Sequence, residues 1–373
     1  MKYYLIAGEA SGDLHASNLM KGLLAEDPDA SFRFYGGPMM EAVGGTKVHD
    51  YKETAVMGMS DVVRNISKIT KNLRACKEDI LAWKPDVVIL VDYPGFNMKI
   101  ASFCHHKKIK VFYYIAPKTW ASRESRNRKL KAWVDKMFIV FPFEKEYFEE
   151  AGIPYIYKGN PLVDAVDSAV LKRPEEGRYI AILAGSRKGE ISRTMPVAMK
   201  MADILHATPE FADYKFLVGG APSRTMEDYE HHIAGRDYVK VLFGRTYDIL
   251  SFADAALVNS GTASLEAALL GTPQVVCWST SFITAFAANY IVNVMDHIKF
   301  ISLGNLILDR LSFRELIQYD FTAEESAREI RRLIEDIPYR ERMKADYEEI
   351  RQRLGGSGAS RKVAASMIAE LKG

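Results

Sequence analysis

Residues 1–13 read Met1-Lys-Tyr-Tyr-Leu-Ile-Ala-Gly-Glu-Ala-Ser-Gly-Asp13. An apolar run ends at Gly8, and the carboxylates of Glu9 and Asp13 flank the turn that leads into a helix, which we predict from Asp13 onward. In a parallel sheet, the carboxyl end of the first strand is a ligand-binding position. Because two negative charges would repel a phosphate, the turn is suited to hydroxyl groups or to proton transfer. A phosphate ligand is therefore expected elsewhere in the chain.

Strand-like and helix-like segments alternate along the chain in two successive series. The first series has predicted strands at residues 3–7, 32–35, 87–91, 111–115, 137–141 and 155–157, and the second at 179–183, 216–218, 239–243, 255–258 and 275–278. Alternation of this kind favours parallel sheets covered on both faces. Because 373 residues are many for one core, we predict an α/β fold of two doubly wound, Rossmann-like domains.

The predicted domain limits follow a composition shift after Gly159-Asn-Pro161. They are residues 1–165 for the first domain, 166–345 for the second, and 346–373 for C-terminal helices that are candidates for packing back on the first domain.

The composition excludes several classes of protein. Lys and Arg number 50 against 48 Asp and Glu, which argues against a nucleic-acid binder. Cys76, Cys104 and Cys277 share no metal-ligand spacing and are expected to be reduced, buried thiols. We expect no secretory signal at the start of the chain and no transmembrane segment, because no run of about 18 uncharged apolar residues occurs.

Two turns in the second series could bind an anion. Gly185-Ser-Arg187 follows a predicted strand and precedes a helix, so main-chain N–H groups, the helix dipole and the Arg187 guanidinium could together hold a diphosphate. An ordinary strand–turn–helix with an exposed arginine is the alternative. Ser260-Gly-Thr262 repeats the pattern. Glu266, one helical turn further on, could accept the two hydroxyls of a ribose, although a solvated glutamate is the alternative.

The first series offers further candidates. Asp92 follows a strongly apolar strand, at the edge of the sheet where ligands bind, so it is a candidate for a general base. The alternative is a carboxylate that only stabilises the turn beside Pro94. Asn97 is expected to cap the next helix. After the strand at 111–115, three side chains could frame an acceptor or its phosphate: Lys118, Trp120 and Arg123.

A helix predicted over residues 61–83 is amphipathic. Its apolar stripe consists of Val62, Ile66, Ile69, Leu73, Cys76 and Ile80. The default interpretation is a helix that packs this stripe on the sheet. The alternative is a surface helix in which Ile66, Ile69 and Leu73 contact a membrane.

In combination and order, these motifs resemble the lipid-A-disaccharide synthase family of inverting glycosyltransferases over nearly the whole chain. The resemblance rests on residues 7–13, 35–38, 57–58, 92–97, 141–145, 159–161, 185–187, 260–262 with Glu266, and Leu303-Gly-Asn305. It implies a GT-B fold, in which two Rossmann-like domains face each other across a cleft.

The resemblance also implies an activity. UDP-2,3-diacylglucosamine and 2,3-diacylglucosamine 1-phosphate would give a β-1,6-linked disaccharide and UDP, at the cytoplasmic face of the inner membrane of a Gram-negative bacterium. No metal or cofactor is implied, because Arg187 would stabilise the leaving diphosphate. Asn305 would touch the diphosphate or donor sugar, while Ser11 and Gly12 would lie on the acceptor side. A homodimer is left open.

The chain departs from the family at one informative position. Family members often carry a second aspartate in the Asp-x-Pro-Asp-Phe-Asn motif, where this chain has Gly95. The candidates for the catalytic base are therefore Asp92, Glu9 and Asp13. Two rival functions are a UDP-N-acetylglucosamine 2-epimerase and a non-catalytic nucleotide-sugar-binding protein.

Overall fold

The chain forms two compact units, each built around one parallel sheet. A computed structural model describes residues 1–53, 66–117, 119, 125–279 and 299–373. The first unit comprises Met1–Asp167 together with Leu354–Gly373, and the second comprises Ser168–Arg353.

The first unit alternates strands and helices along its described residues. The strands are β1 (Lys2–Ala7), β2 (Ser31–Gly36), β3 (Thr46–Asp50), β4 (Val87–Val91), β5 (Val111–Tyr114), β6 (Lys136–Ile139) and β7 (Tyr155–Tyr157). The helices are α1 (Ala10–Glu26), α2 (Pro38–Val43), α3 (Ile66–Trp83), α4 (Pro94–His106), α5 (Ser125–Trp133), α6 (Glu144–Glu150) and α7 (Pro161–Asp167).

The strand order of the first sheet is β3-β2-β1-β4-β5-β6-β7, and every pairing is parallel. The chain winds outward from β1 to β3 and then continues from β4 to β7 on the other side. The carboxyl ends of β1 and β4 therefore flank a topological switch point, the position at which open α/β sheets bind ligands. The turn after Gly8 and the junction at Asp92 both lie there.

The second unit repeats this design. Its strands are β8 (Tyr179–Leu183), β9 (Lys215–Gly220), β10 (Val239–Phe243), β11 (Ala255–Asn259), β12 (Gln274–Trp278) and β13 (Glu315–Ile317). Its helices are α8 (Lys188–His206), α9 (Glu230–Ile233), α10 (Thr246–Ser251), α11 (Thr262–Leu269), α12 (Leu303–Leu308), α13 (Ala323–Glu335) and α14 (Ile337–Arg353). The parallel order β10-β9-β8-β11-β12-β13 places its switch point between β8 and β11.

The central strands are almost entirely apolar because helices cover both faces of each sheet. Every residue of β4, β8 and β11 is buried. The predicted α/β fold of two doubly wound domains is confirmed. The sequence pattern missed β3 and β13, which are edge strands with mostly half-buried residues and therefore lack a strong apolar run.

The chain returns to the first unit through its last helix, α15 (Ala359–Lys372). This helix packs against α1. A Cβ atom at Gly22 would lie 3.0 Å from the carbonyl oxygen of Ser360, so the glycine permits this close approach. The Asp164 carboxylate accepts hydrogen bonds from the first main-chain N–H groups of α15, at 2.8 Å for Ser360. The domain limit predicted at residue 346 falls inside α14.

The apolar stripe of α3 faces the core where it is described. Cys76 and Ile80 are fully buried, and Leu73 packs against the core of the first unit. For Leu73, which is half-buried, this packing favours the default interpretation over the predicted membrane contact. Ile69 is half-buried, whereas the side chain of Ile66 lies outside the described residues. In the described ranges, no helix is both long enough and apolar enough to span a membrane.

All three cysteines are buried and form no disulfide, as their spacing predicted.

The buried His15 on α1 gives the first unit a specific pH dependence. Burial lowers the pKa of His15 from 6.5 to about 4, an effect that nearby Asp164 only partly opposes. Between these values the unfolded chain binds a proton that the folded chain does not, so the free energy of unfolding falls as the pH drops from 6.5 to about 4. The loss is at most about 3 kcal/mol.

Urea denaturation across this pH range measures the effect. We expect His15→Gln to flatten the dependence and the exposed His105→Gln to leave it unchanged. If the free energy of unfolding depended on pH equally in the wild type and in His15→Gln, the assignment of this effect to His15 would be contradicted.

Candidate functional site

The two predicted anion turns are neighbours at the switch point of the second unit. Gly185 follows β8 with φ of +107°, in the left-handed region that favours glycine. A Cβ atom there would lie 2.6 Å from Cβ of Glu190 and 3.4 Å from Cγ of Asn259. Asn259, at the end of β11, donates to the Ala184 carbonyl at 3.3 Å and to the Thr194 hydroxyl at 3.0 Å. One buried amide thus holds the first turn against the strand that carries the second.

The main-chain N–H groups of the first turn are already bonded to a carboxylate. Glu190 Oε2 accepts from the N–H groups of Ser186 at 2.9 Å and Arg187 at 3.2 Å, and Glu190 Oε1 accepts from the Arg187 guanidinium at 3.0 Å. Glu190 thus provides the N3 half of a capping box at the start of α8, and the Arg187 side chain, which has no acceptor, provides no second half. The anion held by these N–H groups is thus a side chain of the same helix, and binding of a diphosphate at this turn stays a prediction. A diphosphate must displace Glu190 from these groups or bind beside it to Arg187, whose side chain is 76% exposed.

The second turn leaves its helix end without a side-chain cap. Gly261 is the N-cap residue of α11, and no side chain of the described ranges caps the first turn of this helix. The Ser260 hydroxyl donates instead to the Ile301 carbonyl at 3.2 Å, and Thr262 is exposed at the first helical position. Because main-chain N–H groups at an uncapped helix start attract negative charge, this end suits an anion.

Glu266 lies one turn into α11 and has a partner that the sequence analysis missed. Tyr247, on α10, donates its hydroxyl to Glu266 Oε1 at 3.1 Å. Burial raises the pKa of the Glu266 carboxyl, and the hydrogen bond from Tyr247 partly opposes that rise. The tyrosine thus fixes one of the two carboxylate oxygens, Oε1. Sequence spacing could not reveal the pair, because the two residues lie on different helices.

Asn305 does not present its side chain to a ligand, in contrast to the expectation. It is fully buried, and Nδ2 donates to the Phe313 carbonyl at 2.9 Å and to Glu315 Oε1 at 2.8 Å. Its Oδ1 accepts from the Ser312 N–H at 2.9 Å. Both ends of the amide are therefore satisfied within the second unit, where they hold the loop after α12.

At the switch point of the first unit, Asp13 is a structural residue. Its carboxylate is 2% exposed and accepts from the N–H groups of Gly37 at 2.8 Å, Met39 at 3.0 Å and Met40 at 3.1 Å. These bonds satisfy the first turn of α2. Because its acceptor sites are turned away from solvent, Asp13 is poorly placed to remove a proton from a substrate, in contrast to the expectation that it could be the catalytic base.

Glu9 remains open to a ligand. Helix α1 begins at Ala10, three residues earlier than predicted, and Glu9 is its exposed N-cap residue with no cap hydrogen bond of its own among the described residues. The Ser11 hydroxyl donates to Glu9 Oε1 at 3.3 Å. Gly12 is buried against β1, where a Cβ atom would lie 3.3 Å from Cβ of Ala7. Gly12 is therefore a packing position, while Glu9 and Ser11 form the accessible part of the turn.

Asp92 lies directly after β4, beside the turn that carries Glu9. Its side chain is half-buried. The ring of Tyr93 covers Gly8 so closely that a Cβ atom on this glycine would lie 2.3 Å from it. The prediction that Asn97 caps α4 is wrong, because the helix begins at Pro94 and Asn97 lies inside it. The side chains of the predicted acceptor residues Lys118, Trp120 and Arg123 lie outside the described residues.

The fold of the two units and the residues at their switch points indicate a class of protein. Two doubly wound units, one with carboxylates at its switch point and one with an uncapped helix start and a half-buried glutamate at its own, are typical of the GT-B class. Solved structures share this fold: Staphylococcus aureus MnaA with UDP has a TM-score of 0.68 at 15% identity, over 100% of this chain and 97% of that one. The calicheamicin glycosyltransferase CalG4 gives 0.57 at 15% identity, over 99% and 98%.

Sequence comparison then identifies the family. The profile of the lipid-A-disaccharide synthetase family matches residues 3–369, and the chain belongs to this family. It is 37% identical to the lipid-A-disaccharide synthase of Geobacter metallireducens, over 98% of this chain and 96% of that protein. The enzyme of the same name from Myxococcus xanthus is also 37% identical, with the same shares covered.

Proposed function

We propose that this protein catalyses the reaction for which its family is named. UDP-2,3-diacylglucosamine and 2,3-diacylglucosamine 1-phosphate are joined to a β-1,6-linked disaccharide 1-phosphate, and UDP is released. The observation that carries this proposal is the family match over residues 3–369, with both sets of motif residues placed at switch points. Because both substrates are acylated, the protein would act at the cytoplasmic face of the inner membrane. Ile69 is a candidate for contact with that membrane surface.

The second unit binds the donor. The uncapped start of α11 at Ser260–Thr262 and the exposed Arg187 hold the diphosphate, and Glu266 accepts hydrogen bonds from the ribose hydroxyls. Negative charge accumulates on the diphosphate as its bond to the anomeric carbon breaks. Fixed N–H dipoles and a guanidinium stabilise that charge in the transition state more than in the ground state.

The first unit supplies the base. Asp92 removes the proton of the acceptor 6-hydroxyl while that oxygen attacks the anomeric carbon from the face opposite UDP, so the configuration inverts in one displacement. General-base assistance of this kind contributes about 10²–10⁴-fold. Glu9, on the adjacent strand end, is the second candidate, and Ser11 lies beside it to bind an acceptor hydroxyl.

The electrostatic role of Arg187 predicts that no divalent cation is required. Full turnover is expected to persist in excess EDTA, because the guanidinium and helix N–H groups provide the charge stabilisation that a metal provides elsewhere. A matched reaction with EDTA pre-saturated with Mg²⁺ controls for effects of the chelator itself. Loss of turnover that added Mg²⁺ restores would contradict the prediction.

The rival function is epimerisation of a UDP-sugar, since solved structures of that class share the fold. Reactions from which one substrate is omitted distinguish the glycosyltransferase from the epimerase. Purified protein should release UDP only when the donor and the acylated acceptor are both present. Conversion of UDP-N-acetylglucosamine without any acceptor would favour the epimerase, and UDP-sugar binding without release of UDP would favour a binding protein.

A further inference from the structure

The junction between β4 and α4 has an unusual backbone. Asp92 and Tyr93 are consecutive non-glycine residues in the left-handed region, with φ of +44° and +46°. Each such residue costs about 1–3 kcal/mol, and the conformation persists only where surrounding contacts over-determine it. Strain of this kind clusters at functional sites. The contacts that hold Asp92 and Tyr93 in this conformation are therefore candidates for a functional role.

Two buried side chains hold the main chain of Asp92. Its carbonyl oxygen accepts from Asn97 Nδ2 at 2.8 Å and from the Tyr113 hydroxyl at 2.7 Å. Its N–H donates to the Tyr114 carbonyl at 3.1 Å, which continues the sheet by one residue. Both main-chain polar groups of Asp92 are thus bonded inward, while its side chain remains half-buried at the ligand-binding edge.

Asn97 lies inside α4 and holds this junction through its side-chain amide. It is fully buried, and Nδ2 also lies 3.3 Å from the Val91 carbonyl and 3.4 Å from the Ile6 carbonyl. Its Oδ1 is buried and has no hydrogen-bond partner among the described residues. An unpaired buried acceptor costs about 1–3 kcal/mol, which an apolar residue at this position would avoid. The bonds that Nδ2 makes to the ends of β1 and β4 offset that cost.

Tyr113 contacts the same carbonyl from the neighbouring strand. Its ring belongs to the core of the first unit, so the position of its hydroxyl is set by packing. Burial raises the pKa of Tyr113 well above its ordinary value. The hydroxyl therefore stays protonated and acts as a constant donor to the junction.

We propose that Asn97 and Tyr113 are positioning residues that lock the Asp92 main chain in its left-handed conformation and so aim the Asp92 carboxylate at the acceptor hydroxyl. This inference rests on the proposed function, because it takes Asp92 as the base. Misplacement of a reacting group by about 1 Å can cost 10²-fold in rate. Loss of one of the two hydrogen bonds should therefore reduce turnover without weakening binding of the donor, whose residues lie in the other unit.

A double-mutant cycle tests the inference. Tyr113→Phe removes only the hydroxyl and should lower kcat about tenfold or more, with KM for both substrates and Kd for UDP within about twofold. In the Asp92→Asn background the same substitution should have no further effect, because residues that act through one group are not additive. Tyr114→Phe is the matched control, since its ring points to the opposite face of β5. Asn97→Ala should also lower kcat, by a larger factor than Tyr113→Phe does.

The outcomes are distinguishable. Equal losses in the wild-type and Asp92→Asn backgrounds, or the same loss in Tyr114→Phe, would show a merely structural role and overturn the inference. An unchanged kcat in Tyr113→Phe would do the same. If Asp92→Asn itself kept full turnover, the base assignment would fail and the inference with it. If the wild-type protein made no disaccharide at all, the proposed function would fail instead.

Discussion

Asp92→Asn is expected to lower turnover by about 10²–10⁴-fold while leaving UDP affinity nearly unchanged. The substitution keeps the size of the side chain and removes its ability to take a proton. The main-chain hydrogen bonds at this junction involve the carbonyl and N–H of residue 92, so the strained backbone is preserved. Steady-state release of UDP, together with calorimetric titration of UDP, measures both quantities.

Two further variants test the alternative sources of the base. Glu9→Gln tests the opening turn, and an inactive Glu9→Gln beside a fully active Asp92→Asn would move the base to Glu9. Gly95→Asp restores the acid that family members often carry. An ideal Cβ atom on Gly95 meets nothing within 4 Å, and an acid in the first turn of α4 suits the helix dipole, so the variant should fold. A rise in turnover of about tenfold or more in Gly95→Asp would show that Asp92 is an incomplete base.

Arg187→Met is expected to lower turnover by about 10²–10³-fold and to weaken UDP binding as well, because it removes a fixed positive charge from the diphosphate site. The side chain is 76% exposed and pairs with Glu190 across a short surface contact, so stability should change by no more than about 1 kcal/mol. The affinity for UDP and the turnover should thus fall, whereas the urea concentration at the midpoint of unfolding should stay the same.

Arg178→Met is the matched control for this effect. Arg178 precedes β8, at the opposite end of the strand from Arg187, and pairs with Asp254 at 3.3 Å. It should leave both UDP binding and turnover unchanged. If Arg187→Met kept turnover within about twofold of the wild type, the electrostatic account of leaving-group stabilisation would be wrong.

The sequence predicted the fold well because the central strands carry a strong local signal. β4 and β8 are continuous apolar runs bounded by charged residues or glycine, and burial on both faces of a parallel sheet requires that pattern. The same signal placed Gly8, Asp92, Arg187 and Thr262 after strands that proved to be adjacent at switch points. It failed for edge strands such as β3, where only part of each side chain is buried.

The roles of individual polar residues were harder to predict, since they depend on partners far away in the chain. Asp13 has the chemistry of a catalytic base, but its carboxylate accepts hydrogen bonds from main-chain N–H groups at residues 37–40. Asn305 is in a family motif, yet both ends of its amide bond to residues 312–315. Tyr247 and Glu266 meet only because α10 and α11 follow strands of the same sheet. Local sequence carries no record of such tertiary contacts.

The central claim is that this protein forms a glycosidic bond between two acylated glucosamines, and product analysis tests it most directly. Purified protein should be incubated with UDP-2,3-diacylglucosamine and 2,3-diacylglucosamine 1-phosphate, and the products identified by mass spectrometry and NMR. The account predicts one β-1,6-linked disaccharide 1-phosphate for each UDP released. UDP released without disaccharide, an α linkage, or an epimerised UDP-sugar as the only product would contradict it.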